Sequence, residues 1–111
     1  MAFSKKTEFG SKDRKVAEFA KALSHPARVA ILRILAKKGT CVCGEIVEVL
    51  PLAQSTVSQH LKDLRQAGII TGEVSGLNSC YCIDWDALKD VWETFSGIFG
   101  EMKKNHEKNC C

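Results

Sequence analysis

The sequence has no long apolar run. No segment approaches the roughly 20 apolar residues that a membrane span needs, so no membrane partner is expected. The opening Met1-Ala-Phe-Ser-Lys-Lys6 lacks the apolar core of a secretion signal. The cytoplasm is therefore the expected location. There is no internal repeat and no low-complexity segment. Charge of one sign is scarce too. Sixteen basic residues against 13 acidic ones leave a net charge of +3, a modest attraction for a polyanion. No Cys-x-x-Cys follows a strand pattern, and no nucleophile is paired with an evident base. An enzyme is not expected.

What is there suits one domain. A chain of 111 residues, 45% apolar and 26% charged, closes a single small core. In a reducing compartment its six cysteines are free thiols or metal ligands rather than disulfides. Residues 1–15 read as a flexible basic arm, with Lys5, Lys6, Lys12, Arg14 and Lys15 against Glu8 and Asp13. Such an arm either contacts phosphates or is a solvated terminus.

Residues 41–68 organise the rest. Ile46, Val49 and Leu50 make the stripe of a short helix that Pro51 stops. Val57, Leu61 and Leu64 make a second stripe, and Gly68 stands where a left-handed cap belongs. Between the apolar positions lie Gln54, Ser55, Thr56, Ser58, Gln59, His60 and Lys62. Amide and hydroxyl side chains read base edges in the major groove, and helix N-termini favour phosphates. On pattern alone, the pair is either a DNA-reading element or a helical hairpin with a solvated face.

The flanking segments are periodic as well. A helix is expected over about Asp13–Leu23, with Val16, Phe19, Ala20 and Leu23 on one side. Ser24 or His25 caps the next helix, and Pro26 suits its first turn. That helix, with Val29, Ile31, Leu32, Ile34 and Leu35, is apolar on most sides and belongs at the centre of the core. After Gly68, residues 69–74 and 80–83 read as two strands around a Ser75–Ser79 turn. Asp84 or Asp86 caps a last helix. Its Leu88, Val91, Trp92, Phe95, Ile98, Phe99 and Met102 form one stripe, more than a small core needs from a terminal helix.

Cys41 and Cys43 stand at the mouth of the first helix of the pair. Residues two apart on a regular helix do not face each other. Both thiolates reach one ion only if this segment is extended or the helix entry unwinds. A helix N-terminus would also favour the thiolate. Cys80 and Cys82, at i and i+2, share one face of a strand. Each pair is either a set of soft-metal ligands or ordinary buried residues.

Three motifs carry a family resemblance. Ser55-Thr-Val-Ser-Gln-His-Leu-Lys-Asp-Leu-Arg-Gln-Ala-Gly-Ile-Ile70 resembles the recognition helix of the ArsR/SmtB family of metal-sensing repressors. Ala22-Leu-Ser-His-Pro-Ala-Arg-Val-Ala-Ile-Leu-Arg-Ile-Leu35 is similar to that family's opening helices. Cys41-Val-Cys-Gly-Glu-Ile46 resembles the thiol motif of its arsenic and cadmium/lead branches.

The resemblance implies a mainly α protein with a small β-hairpin (α+β), a winged helix-turn-helix over residues 16–102, homodimeric through its terminal helix. It implies double-stranded operator DNA as partner, read by Gln54, Ser55, Thr56, Ser58, Gln59, His60 and Lys62. It implies As(III) or Sb(III) as inducer, with Cd, Pb or Zn as the alternative metals and thiol oxidation as an alternative switch. The chain departs from the pattern in two places. The arsenic branch usually has a third cysteine where Ile46 stands, so a further ligand must come from elsewhere. Cys110 and Cys111, ending a tail of residues 103–111, are the first candidates, and Cys80 and Cys82 the second. The expected wing has no Arg or Lys at its tip. The paired Asp and His ligands of zinc-sensing members are also incomplete, with His106 alone beyond the apolar stripe.

Overall fold

The computed structural model describes residues 8–38, 42–43, 50–73 and 80–109, with Val42, Cys43 and Glu73 by their backbone. The first helix, α1 (Ser11–Ala22), starts two residues before its expected limit. Residues 11–15, expected in the basic arm, are its first turns. Asp13 in the first turn suits the positive end of the helix dipole.

The break before the next helix is built as the sequence suggests. The His25 Nδ1 accepts the Ala27 N–H at 3.0 Å, and its carbonyl accepts the N–H of Arg28 and Val29. His25 is thus the cap, and Pro26 opens α2 (Pro26–Lys38) where no helical N–H is needed. Ala27, Ile31 and Leu35, spaced by four, are its buried line. Val29 is exposed on the opposite side, so α2 is central on one face only.

A two-residue strand, β1 (Val42–Cys43), follows. The first helix of the expected pair falls on residues outside the described ones. The second is α3 (Gln54–Gln66). Its end is a Schellman turn: the Gly68 N–H meets the Arg65 carbonyl, and the Ile69 N–H meets the Leu64 carbonyl at 3.1 Å. Gly68 is at φ +80°, the left-handed region.

The chain then forms β2 (Ile70–Glu73) and β3 (Cys80–Ile83). Both β1 and β2 pair antiparallel with β3, in the order β1-β3-β2. The expected hairpin is present. The third strand, β1, was not foreseen. Gly72 sits at φ +135°, and a Cβ there would overlap the Cys80 carbonyl oxygen. Only glycine lets β2 approach β3 this closely.

Asp84 caps the last helix, α4 (Trp85–Asn109), through Oδ1 to the Ala87 N–H at 3.1 Å. The helix continues seven residues beyond Met102 to Asn109. Most of the expected tail is therefore helical, because residues 103–109 contain no glycine or proline to stop it. Cys110 and Cys111 lie outside the described residues.

The core gathers Ala22 of α1, Ile31 and Leu35 of α2, and Val57, Leu61 and Leu64 of α3. Ile69, Ile70 and Tyr81 close it from the hairpin. Among the described residues, no helix is long and apolar enough to cross a membrane.

Candidate nucleic-acid interface and thiol strand

The front of α3 stands free of the core. Gln54, Ser55, Thr56, Gln59 and Lys62 are exposed and Ser58 is half-buried, while Val57, Leu61 and Leu64 anchor the helix from behind. Ala53 precedes it in extended backbone and supplies no side-chain cap. The first N–H groups of α3 therefore have no side-chain acceptor, the arrangement that favours an anion at a helix start. Gln59 has a local partner: its Nε2 donates to the Asp63 Oδ1 at 3.1 Å.

His60 is a correction. It was expected on the DNA-reading face, but it is 8% exposed and belongs to the inner side of α3. The reason is spacing: Val57, His60, Leu61 and Leu64 fall at i, i+3, i+4 and i+7, one continuous face of the helix. Its ring lies 4.5 Å from that of His25. Its Nδ1 accepts the Arg28 Nε–H at 3.1 Å, so the neutral ring carries its proton on Nε2. That atom is buried without a hydrogen-bond partner. Burial first, then the nearby His25 and Arg28, push the His60 pKa below its ordinary 6.5, with Asp63 pulling the other way.

Arg28 ties the two helices together. Its Nη2 meets the Asp63 Oδ2 at 2.6 Å, and its Nη1 reaches the Ala22 carbonyl at 3.3 Å. One guanidinium thus joins the end of α1, the start of α2 and the middle of α3. Sequence reading missed this clasp. An Arg one residue after Ala27 on the buried line of α2, with an Asp three residues after a histidine on the facing helix, was the available signal.

The expected metal-ligating residues divide. Cys41, Cys110 and Cys111 lie outside the described residues. The Cys43 backbone is extended in β1, the conformation that lets residues two apart share a face. In the strand register Cys43 is directly opposite Cys80. Cys80 and Cys82 are both half-buried and, against the expectation of free thiols or metal ligands, both disulfide-bonded. Among the described residues, no three His, Cys, Asp or Glu side chains form a metal-holding group. His106, noted as standing alone beyond the apolar stripe, is exposed in the final turns of α4.

A helix with a free polar front, packed on a three-helix core and followed by a β-hairpin, defines a winged-helix DNA-binding protein. The model of the bacterial regulatory protein, arsR family, matches residues 25–71. An uncharacterized helix-turn-helix transcriptional regulator of Methanocaldococcus jannaschii is 40% identical, over 72% of this chain and 90% of its own length. The arsenical resistance operon repressor of Bacillus subtilis is 35% identical, over 88% of this chain and 91% of its own. The solved ArsR-like transcriptional regulator from Rhodococcus sp. RHA1 shares the fold, with a TM-score of 0.72, 20% identity, and 89% and 92% of the two chains covered. The chain belongs to the ArsR/SmtB family of helix-turn-helix transcriptional repressors.

Proposed function

We propose that this protein is a homodimeric repressor that leaves its operator when cysteine thiolates take up As(III) or Sb(III). The observation that carries the DNA side is the polar, exposed front of α3. Gln54, Ser55, Thr56, Ser58, Gln59 and Lys62 contact bases and phosphates, while His60 holds the helix from behind. The dimer rests on α4. Trp92, Phe99 and Met102 are exposed, and Trp92, Phe95 and Phe99 stack along one side with centroids 5.9 and 4.5 Å apart. No residue of α4 is buried within its own chain. A second copy covers that stripe and sets two α3 helices about one DNA turn apart.

The sensing side rests on Cys41 and Cys43, on the extended form of β1, and on similarity to an arsenical resistance repressor. Thiolates select soft ions over Mg or Ca, and three of them suit a trivalent metalloid. The further donors come from Cys110 and Cys111 or from β3. Ligand uptake there is coupled to DNA release by on the order of 1–3 kcal/mol or more. Replacing Cys41 by serine should abolish release of promoter DNA by arsenite. Unchanged release would end the thiolate reading.

A further inference from the structure

We infer that Cys80 and Cys82, on the return strand of the wing, complete the soft-ion site begun by Cys41 and Cys43. The inference rests on the thiolate reading above and names its missing donors. The register is the first observation: Cys43 and Cys80 are directly opposite on antiparallel strands, a separation of about 4.5–5.5 Å between Cα atoms. The second is covalent: Cys80 and Cys82 are both disulfide-bonded, so each sulfur already reaches another cysteine's sulfur. Two residues at i and i+2 of one strand lie roughly 6.6–6.8 Å apart, the outer limit of disulfide spacing. A residue opposite lies well inside that limit, which favours partners across the sheet. Cys41 and Cys43 have the same two-residue spacing in the sequence as Cys80 and Cys82.

Sulfurs close enough to join are close enough to share an ion. Thiolates about 2.3 Å from one tetrahedral centre are roughly 3.8 Å from each other, a small separation from the disulfide state. The chemistry balances without any change at arsenic. A low-molecular-weight dithiol first gives two electrons and two protons to each disulfide and is itself oxidised. Three of the resulting thiols then replace the three hydroxides of arsenous acid. Three As–S bonds form, three As–O bonds break, and the thiol protons leave as three waters.

The placement also supplies the coupling. The strand β3 is central in the sheet and pairs with both β1 and β2. Strand β2 follows α3 directly through Gly68 and Ile69, and the Asp84 N–H meets the Ile69 carbonyl at 2.9 Å. Drawing β1 and β3 onto one ion therefore acts on the wing and on the C-terminal end of the DNA-reading helix together. The helix tail need not move.

The test uses the reduced full-length chain, titrated with arsenite and separately with Cd(II). Sulfur-to-metal charge-transfer absorbance reports binding. Alkylation with iodoacetamide, mapped by mass spectrometry, reports which cysteines are protected. Cys80 and Cys82 should be protected in the bound parent chain. Cys80→Ser and Cys82→Ser should each weaken Cd(II) binding, which takes four thiolates, by about 100-fold or more, since even outer-shell changes cost about 10–100-fold. The double variant Cys80→Ser, Cys82→Ser, left with two thiols, should lose arsenite binding as well. The double variant Cys110→Ser, Cys111→Ser should bind as the parent does. If the parent binds and releases DNA while Cys80 and Cys82 alkylate freely, this inference fails and the thiolate reading stands. If the parent binds neither ion, both fail. Protection is read on the parent chain, so a serine variant that does not fold leaves the result decisive.

Discussion

Three residues set the local terms. Gly72 is required because any Cβ would meet the backbone of Cys80. Gly72→Ala should cost about 1–3 kcal/mol or more in urea unfolding and should disturb the alkylation pattern of Cys80. Gly68, also at positive φ but with open space around it, should cost only about 1–2 kcal/mol on the same change. His60 gives a pH prediction. Its pKa is lowered in the folded chain, so the unfolded chain binds more protons just below 6.5. Stability contributed by this group is present above 6.5 and falls away as the pH drops from there toward the folded value. Guanidine or urea titrations across this range should show the loss in the parent and a flatter profile in His60→Gln. His60 was legible as an inward residue from its i+3 spacing to Val57. Its polar character hid it, because a histidine amid serines and glutamines resembles a base-reading group.

At the scale of elements, the helices were readable and the smallest strand was not. Periods of three and four residues mark α1, α2, α3 and α4 because each carries an apolar stripe along one face. Strand β1 has two residues, too few to show alternation, and its register depends on a strand nearly forty residues away. Cys43 could be assigned as a thiol from sequence, but its position opposite Cys80 could not. The last helix ran past its expected end for a simple reason: the apolar stripe stops at Met102, while helical propensity continues through Lys103-Lys-Asn-His-Glu-Lys-Asn109. The Arg28–Asp63 pair, with side chains 18% and 29% exposed, locks α2 to α3. Arg28→Ala leaves Asp63 and His60 short of partners and should cost about 1.5–3 kcal/mol in thermal or denaturant unfolding. For α4, Trp92→Glu places a charge in the proposed seam. Sedimentation should show the parent as a dimer and the variant as a monomer, with operator affinity reduced at least tenfold.

In the proposed function, the whole molecule joins DNA binding and thiol sensing through one small sheet. Its core holds α3 by Val57, Leu61 and Leu64 and leaves the polar front free for DNA. Its sheet ties the thiol strand to the wing. With a net charge of only +3 and no basic residue at the wing tip, phosphate contacts should be few, and the salt dependence of operator binding correspondingly shallow. The fold class was legible because the winged helix follows from local periodicities and turns. The placing of Cys43 opposite Cys80 was not, because strand register between distant segments leaves no local pattern.

The most direct measurement titrates the reduced protein with arsenite, cadmium and zinc while following its binding to its own promoter DNA. Release by arsenite near one equivalent per subunit is the predicted result, and it would fit a three-thiolate switch. Indifference to all three, with release instead by peroxide in metal-free buffer, would contradict the account and move the switch from ligand uptake to thiol oxidation.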